Sequence, residues 1–262
     1  MKRIIILPAI RPNAGIGYRY YLELLSITKA LTADLRQVVI DAFSTTDNVD
    51  IVDGIVKVRT GQWQSYVDRK ASVIASQFVS NVDRENIIAL AHSFRKAPRP
   101  VAESLVVKLN QHGQRALNAN KAAVIENVSL IKSIPAKYQE QITFYVTEAM
   151  SQGRNKTWLT ERIMELGHST RDRAKLIARD QLNKVTEVIN VSRQMGLGIT
   201  HNKWHHSSRP AQPRKSHVEA DGKIYPLNDG LLIDGEKIFP GQKINCYCYS
   251  SPVIIFDDGV TE

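Results

Sequence analysis

The chain has 262 residues, 43% of them apolar, and a formal charge of +9 at pH 7. That apolar share supports a packed core and excludes disorder as the main state, and no run nears the roughly 20 apolar residues of a membrane helix. The positive balance favours a polyanionic partner (nucleic acid, a membrane surface or an acidic protein) or else describes a solvated basic surface.

The opening MKRIIILPAI is interrupted by Pro8 and Arg11, short of a secretory core. It reads as a strand, and the protein as one made and kept in the cytosol. QVVIDAF, from Gln37, reads as another short strand or buried segment. Between them YRYYLELLSITKALTADL has Tyr18, Tyr21, Leu22 and Leu25 at helical spacing. TTDNVDIVDGIVKV reads as a loop followed by strand-like alternation. WQSYVDRKASVIASQFVSNV returns to a helix, with Trp63, Tyr66, Val67, Ile74 and Phe78 near one face. The two prolines of RKAPRP, Arg95 to Pro100, predict a break.

The middle of the chain is predicted helical with a weak point at Gly113. Pro135 is expected in the first turn of a new helix that Gly153 stops. Thr157 is expected to cap a helix ending at Gly167, and Ser169 to cap the next, which Gly196 closes. On that last helix Ile177, Val185, Val188, Ile189 and Met195 are inward candidates. Arg171, Arg173, Lys175, Arg179 and Lys184 are outward, where they could face phosphates or simply water.

From about Leu197 glycine and proline become frequent, Pro210, Pro213, Gly222, Pro226 and Gly230 among them. Short β-like runs lie between: HNKWHH, KIYPL, LLIDGEKIF and CYCYSSPVIIF. The Asp-Gly of LLIDGEKIF signals a tight hairpin. The expected fold class is α+β: a mixed N-terminal region (1–100), a long-helix body (101–196) and a small β-rich Gly/Pro-rich C-terminal module (197–262).

The only two cysteines are Cys246 and Cys248. Two cysteines in a chain this long make no disulfide framework. If the segment is extended, residues two apart point to one face with parallel Cβ vectors, which is poor geometry for a mutual disulfide. With His217, and His205 or His206, they could supply the four ligands of a structural zinc. The alternative is that both are small buried apolar groups. His217 and Glu219, followed by the two cysteines, are also similar to the H-x-E … P-C-x-x-C signature of zinc nucleobase deaminases, in which the glutamate shuttles protons. Against that reading, the spacing is C-x-C, Asn245 stands where the proline belongs, and the surroundings look like strand and turn. There is no P-loop; NAGIGY has two glycines of a G-x-G-x-x-G and lacks the third. No Ser/His/Asp constellation is supported by spacing, and neither catalytic nor cofactor-binding residues are assigned.

The order of the motifs is more informative than any one. Asn127, Leu130, Ile131 and Lys132 are followed by Ile177, Ala178 and Arg179, then Trp204. Arg214, His217 and Gly222 come next, and Pro240, Gly241, Asn245, Cys246 and Cys248 close the set. This succession, over roughly Lys108 to Val253, resembles the phage Mu F-like head morphogenesis family, the minor head proteins of tailed phages. The chain departs from the family in SSRPAQPR, which lacks an Asp-x-Arg, and in Tyr247, which stands between the cysteines where members carry arginine. The resemblance implies a non-enzymatic virion protein at the portal vertex or neck, present in the host cytoplasm during assembly. It implies the portal protein as partner, with tail or neck proteins and packaged DNA as further ones, and a homo-oligomeric ring on the portal. It leaves the first hundred residues unexplained, and the short stretch after the signature is expected to leave no room for a fused toxin domain. Two other classes stay open: a zinc-dependent enzyme acting on nucleic acid, and a generic DNA-binding module.

Overall fold

The computed structural model describes residues 3–46, 48–111, 113–208 and 212–256. The loop position Asp47, and Arg209 to Ala211 with Pro210, lie outside the described residues. The fold is α+β. Strand β1 (Arg3–Ile6) precedes five helices: α1 (Ala14–Thr45), α2 (Val49–Phe94), α3 (Arg99–Gln111), α4 (Gln114–Ser151) and α5 (Lys156–Gly196). Then come β2 (His201–His205), a short helix α6 (Lys215–Glu219), β3 (Ile224–Pro226), β4 (Leu231–Ile233), β5 (Glu236–Ile238) and β6 (Tyr249–Phe256). Contacts gather the chain into two compact units built from separated segments. One holds Met1–Gly17, Phe78–Ala123 and Arg179–Glu262; the other holds Tyr18–Gln77 and Val124–Ala178. Among the described residues no helix is long and apolar enough to cross a membrane.

Among the described residues the secondary-structure elements of the second unit are all helices. On α1, Tyr20, Leu24, Ile27, Leu31, Leu35, Val39 and Ala42 recur every three or four residues and are all buried. That spacing carries the helix through QVVIDAF, the expected short strand or buried segment, which is partly buried but helical. A continuous buried stripe outweighs the β preference of two valines and an isoleucine. Each of these leucines contributes roughly 1.5–3 kcal/mol by leaving water. VDIVDGIVKV is likewise helix, the start of α2, with Val52 and Val56 buried one turn apart. Its start is set by Asn48, whose side-chain oxygen accepts the backbone N–H of Asp50 (2.9 Å).

Pro135 lies inside α4 rather than at a helix start. The stripe Ile131, Ile134, Tyr138, Ile142, Val146 and Ala149 is buried on both sides of it, so packing offsets the missing N–H. Gly167 and Ser169 do not divide α5. Asn155 caps that helix, accepting the N–H of Trp158 at 2.9 Å, in place of the expected Thr157. The Ser169 hydroxyl donates to Leu166 O inside the helix. Gly167 is small for another reason: a Cβ there would stand 2.6 Å from Thr32 Cγ2 of α1. Asp34 ties α1 to α2 by accepting from Arg59 and from Trp63 Nε1 (2.7 Å).

The first unit holds all the strands. Its sheet runs β1-β6-β2-β3, every pair antiparallel, with β4 and β5 as a separate hairpin. The predicted Asp-Gly turn is there, with Asp234 and Gly235 at φ 52° and 79°. The core joins Leu90 and Phe94 of α2, Leu105 and Leu109 of α3, Val191 of α5, and Trp204, Tyr225, Ile233, Ile238, Cys246 and Cys248. RKAPRP breaks the chain between α2 and α3, and α4 begins just after Gly113, as the sequence predicts.

Candidate functional site

Of the ordered motif set after Ala178, Arg179, Arg214 and His217 reach one loop, 240–248, between β5 and β6, which itself holds Pro240, Gly241, Asn245, Cys246 and Cys248. The predicted CYCYSSPVIIF strand begins only at Tyr249. The cysteines precede it in a turn, because Asn245 takes a left-handed φ of 60° and bends the chain. Helix α5 holds the turn from one side. Asp180 accepts the N–H of Asn245 (3.1 Å), Arg179 bonds Asn245 Oδ1, and Asn183 Nδ2 donates to Cys246 O (2.9 Å). Arg179 also lies over the Tyr247 ring, 5.3 Å from its centroid. Gly241 (φ 75°) must be glycine, since a Cβ would meet the Asn183 carbonyl carbon at 2.9 Å. From the other side Arg214 donates to Ile244 O (3.0 Å). Arg179, Arg214 and Asn245 are thus clamps on the turn.

His217 is carried in by α6, a short helix the sequence reading did not anticipate, and is buried. Its ring meets Trp204 edge to face at 5.5 Å. The Trp204 carbonyl accepts the N–H of Gly222 (2.9 Å), whose φ of 81° turns the chain from α6 toward β3. His217 Nδ1 lies 3.4 Å from Cys246 Sγ and 3.7 Å from Cys248 Sγ. The three ligand-type atoms all fall within 4.8 Å of one another. Both cysteines are buried and free.

The two thiols are shifted in opposite directions. Cys246 is drawn down, chiefly by the hydrogen bond from Cys248, with the Gly241 N–H and His217 helping against burial. Cys248, donor of that bond, is pushed up. Two sulfurs beside an imidazole are the donor set that zinc takes.

Of the two adjacent histidines, His206 is the one that approaches. Its Nδ1 is 3.8 Å from Cys248 Sγ, and Asp221 fixes its backbone by accepting its N–H (2.8 Å). His205 is turned away, bonded to Ser251 Oγ (2.7 Å) and stacked on Tyr249. His206, Arg214, His217, Cys246, Tyr247 and Cys248 line an open pocket of about 240 Å³. Glu219 is exposed on α6 and is not among the lining residues. Asn127 and Lys132 belong to the other unit, where Asn127 accepts from the Tyr20 hydroxyl (2.9 Å) and Lys132 pairs with Asp68 (3.3 Å).

A second cluster escaped the sequence reading. Asn183, Glu187, Asn190 and Gln194 are buried along one face of α5, spaced by four, three and four residues. That is a polar stripe at helical period, the signal that could have found it. Glu187 accepts from Ser250 Oγ (2.7 Å) and Tyr225 OH (3.2 Å), so strands β6 and β3 are bonded to α5 through one carboxyl. Burial raises its pKa to about 7, against the Ser250, Asn190 and Tyr225 donors. Val188, read as inward, is 39% exposed because Glu187 and Ile189 take the inner face.

Residues 140–251 match a family model described as Phage Mu protein F like protein. The match holds Arg179, Trp204, Arg214, His217, Gly222, Asn245 and both cysteines, and begins after Asn127 and Lys132. The chain is also 30% identical to an uncharacterized protein of Haemophilus influenzae over 185 residues, 71% of this chain and 40% of that protein. It thus aligns with well under half the length of that relative. No solved structure matches.

Proposed function

We propose, on the premise that residues 140–251 are Phage Mu F-like, that the protein is a head morphogenesis component of a tailed phage, acting by assembly rather than catalysis. It binds the portal protein at the portal vertex, as an oligomeric minor head protein or head-to-tail adaptor. Tail or neck proteins and packaged DNA are secondary partners that its +9 charge would suit.

The observation that carries this reading is the convergence of the family-matched residues on one turn. Arg179, Arg214 and Asn245 are engaged in holding that turn, and Trp204 packs against His217. A non-catalytic role is supported by Glu219, which a deaminase would need beside the cysteines and which stands exposed outside the pocket lining. The test is to mix the purified protein with its phage's portal ring and measure the mass by size exclusion with light scattering. A discrete complex is the expected result. No binding at either low or physiological salt refutes the portal assignment, and salt-dependent DNA binding without portal binding would favour the DNA-binding module.

A further inference from the structure

We propose that His217 Nδ1 and the sulfurs of Cys246 and Cys248 bind one Zn²⁺ ion, with His206 Nδ1 as the fourth ligand, and that this ion ties α6 and the end of β2 to the turn before β6. The inference rests on the first unit alone and is independent of the portal reading.

The distances carry it. Zinc bonds of about 2.3 Å to sulfur and about 2.0–2.1 Å to nitrogen, at the tetrahedral angle, set the ligands about 3.6 Å apart for S···N. The two observed S···N distances from His217, 3.4 and 3.7 Å, are such edges. A hydrogen-bonding account serves them less well. Nδ1 carries at most one hydrogen, so it can donate to one sulfur and not to both.

The supports of the ligands are also in place. The His217 ring is held by Trp204. The Cys246 backbone is fixed by Asn183, and its sulfur accepts the Gly241 N–H at 3.4 Å. Such supports orient metal ligands in known sites. His206 approaches Cys248 to 3.8 Å and lines the same pocket. It sits outside the group of three mutually close ligands, so coordination requires its side chain to turn toward the ion. Binding releases the thiol protons to solvent, and all four positions are then filled by protein. This is the closed arrangement of a structural ion rather than one with a site open for chemistry.

The test starts from the whole chain, expressed and purified without chelator under reducing conditions. Elemental analysis is expected to find about one zinc per chain, and a strong chelator to lower the melting temperature. Cobalt replacing zinc is expected to give the intense visible bands of a tetrahedral thiolate site. His206→Ala is expected to keep the cobalt–thiolate charge-transfer band, weaken metal affinity at least tenfold and change the visible bands. Cys248→Ser is expected to abolish the tetrahedral spectrum; because that variant could unfold, the wild-type cobalt spectrum decides independently. Wild-type protein with less than a tenth of an equivalent of zinc, and no tetrahedral spectrum on adding cobalt, overturns the proposal. An unchanged spectrum and affinity in His206→Ala overturns the fourth ligand.

Discussion

Glu187→Gln tests whether the buried carboxyl joins α5 to the strands as a neutral acid. Glu187 is 4% exposed and its pKa rises from 4.5 to about 7, burial being the main cause. The surrounding bonds are consistent with a protonated group. Ser250 has one hydroxyl proton and two acceptors in reach, Glu187 and, with its amide turned to satisfy its other partners, Asn202 Oδ1 at 3.0 Å. A protonated Glu187 can donate to Ser250 and resolve that competition. The folded state therefore binds the proton more tightly than the unfolded chain. The resulting stability is fully present below about 4.5 and is lost as pH rises through about 7. At about 1.36 kcal/mol per pK unit, the whole change is worth roughly 3 kcal/mol. Glutamine keeps the shape and cannot ionise. The assay is denaturant unfolding of both proteins between pH 4.5 and 8. The wild type is expected to lose roughly 3 kcal/mol relative to the variant across that range. Cys246 is present in both proteins, and its charge is the smallest of the contributions that set the Glu187 pKa, so most of the pH-dependent difference between them belongs to Glu187. A difference that does not vary with pH would refute the neutral-acid reasoning.

Two further outcomes follow from the same unit. Asn245→Ala is expected to cost about 1–2 kcal/mol, from its left-handed φ and its lost bond to Arg179. Asn245→Gly is expected to recover the backbone part; equal losses in thermal unfolding would show that the side chain alone matters. Arg193 is 6% exposed at its side chain and paired with Asp83, so Asp83→Ala should cost roughly 3 kcal/mol by stranding a buried charge. The double change with Arg193→Met should recover much of it, and a single-variant cost under about 1 kcal/mol would show the pair to be solvated.

What the sequence disclosed and what it hid differ by the range of the physics involved. The hairpin of LLIDGEKIF was legible because Asp234 and Gly235 adopt left-handed angles on their own account. The turn signals of the C-terminal module were legible for the same reason. Pro135, Gly167 and Ser169 look locally like helix punctuation and are not. Their local effect is real, but Pro135 is overruled by buried stripes on either side, and Gly167 answers to Thr32, 135 positions away. QVVIDAF, a short strand or buried segment by its β-branched residues, is buried in part but helical, because Val39 and Ala42 continue the stripe that begins before Leu24. The metal-type cluster was half legible. Residue chemistry nominated His217, Cys246 and Cys248, but choosing His206 over His205 needed the sheet, since the pairing of β2 with β6 sets His205 opposite Tyr249 and commits its ring to stacking. The Glu187 stripe shows the same limit in reverse. Its spacing was visible on α5, yet polar residues at helical period ordinarily mark the wet face. Only strands drawn from 38 and 63 residues further along the chain, bringing Tyr225 and Ser250, turn that face inward. The buried polar face of α5 and the cysteine turn before β6 therefore meet at Asn183, which holds the Cys246 carbonyl from the same stripe that presents Glu187.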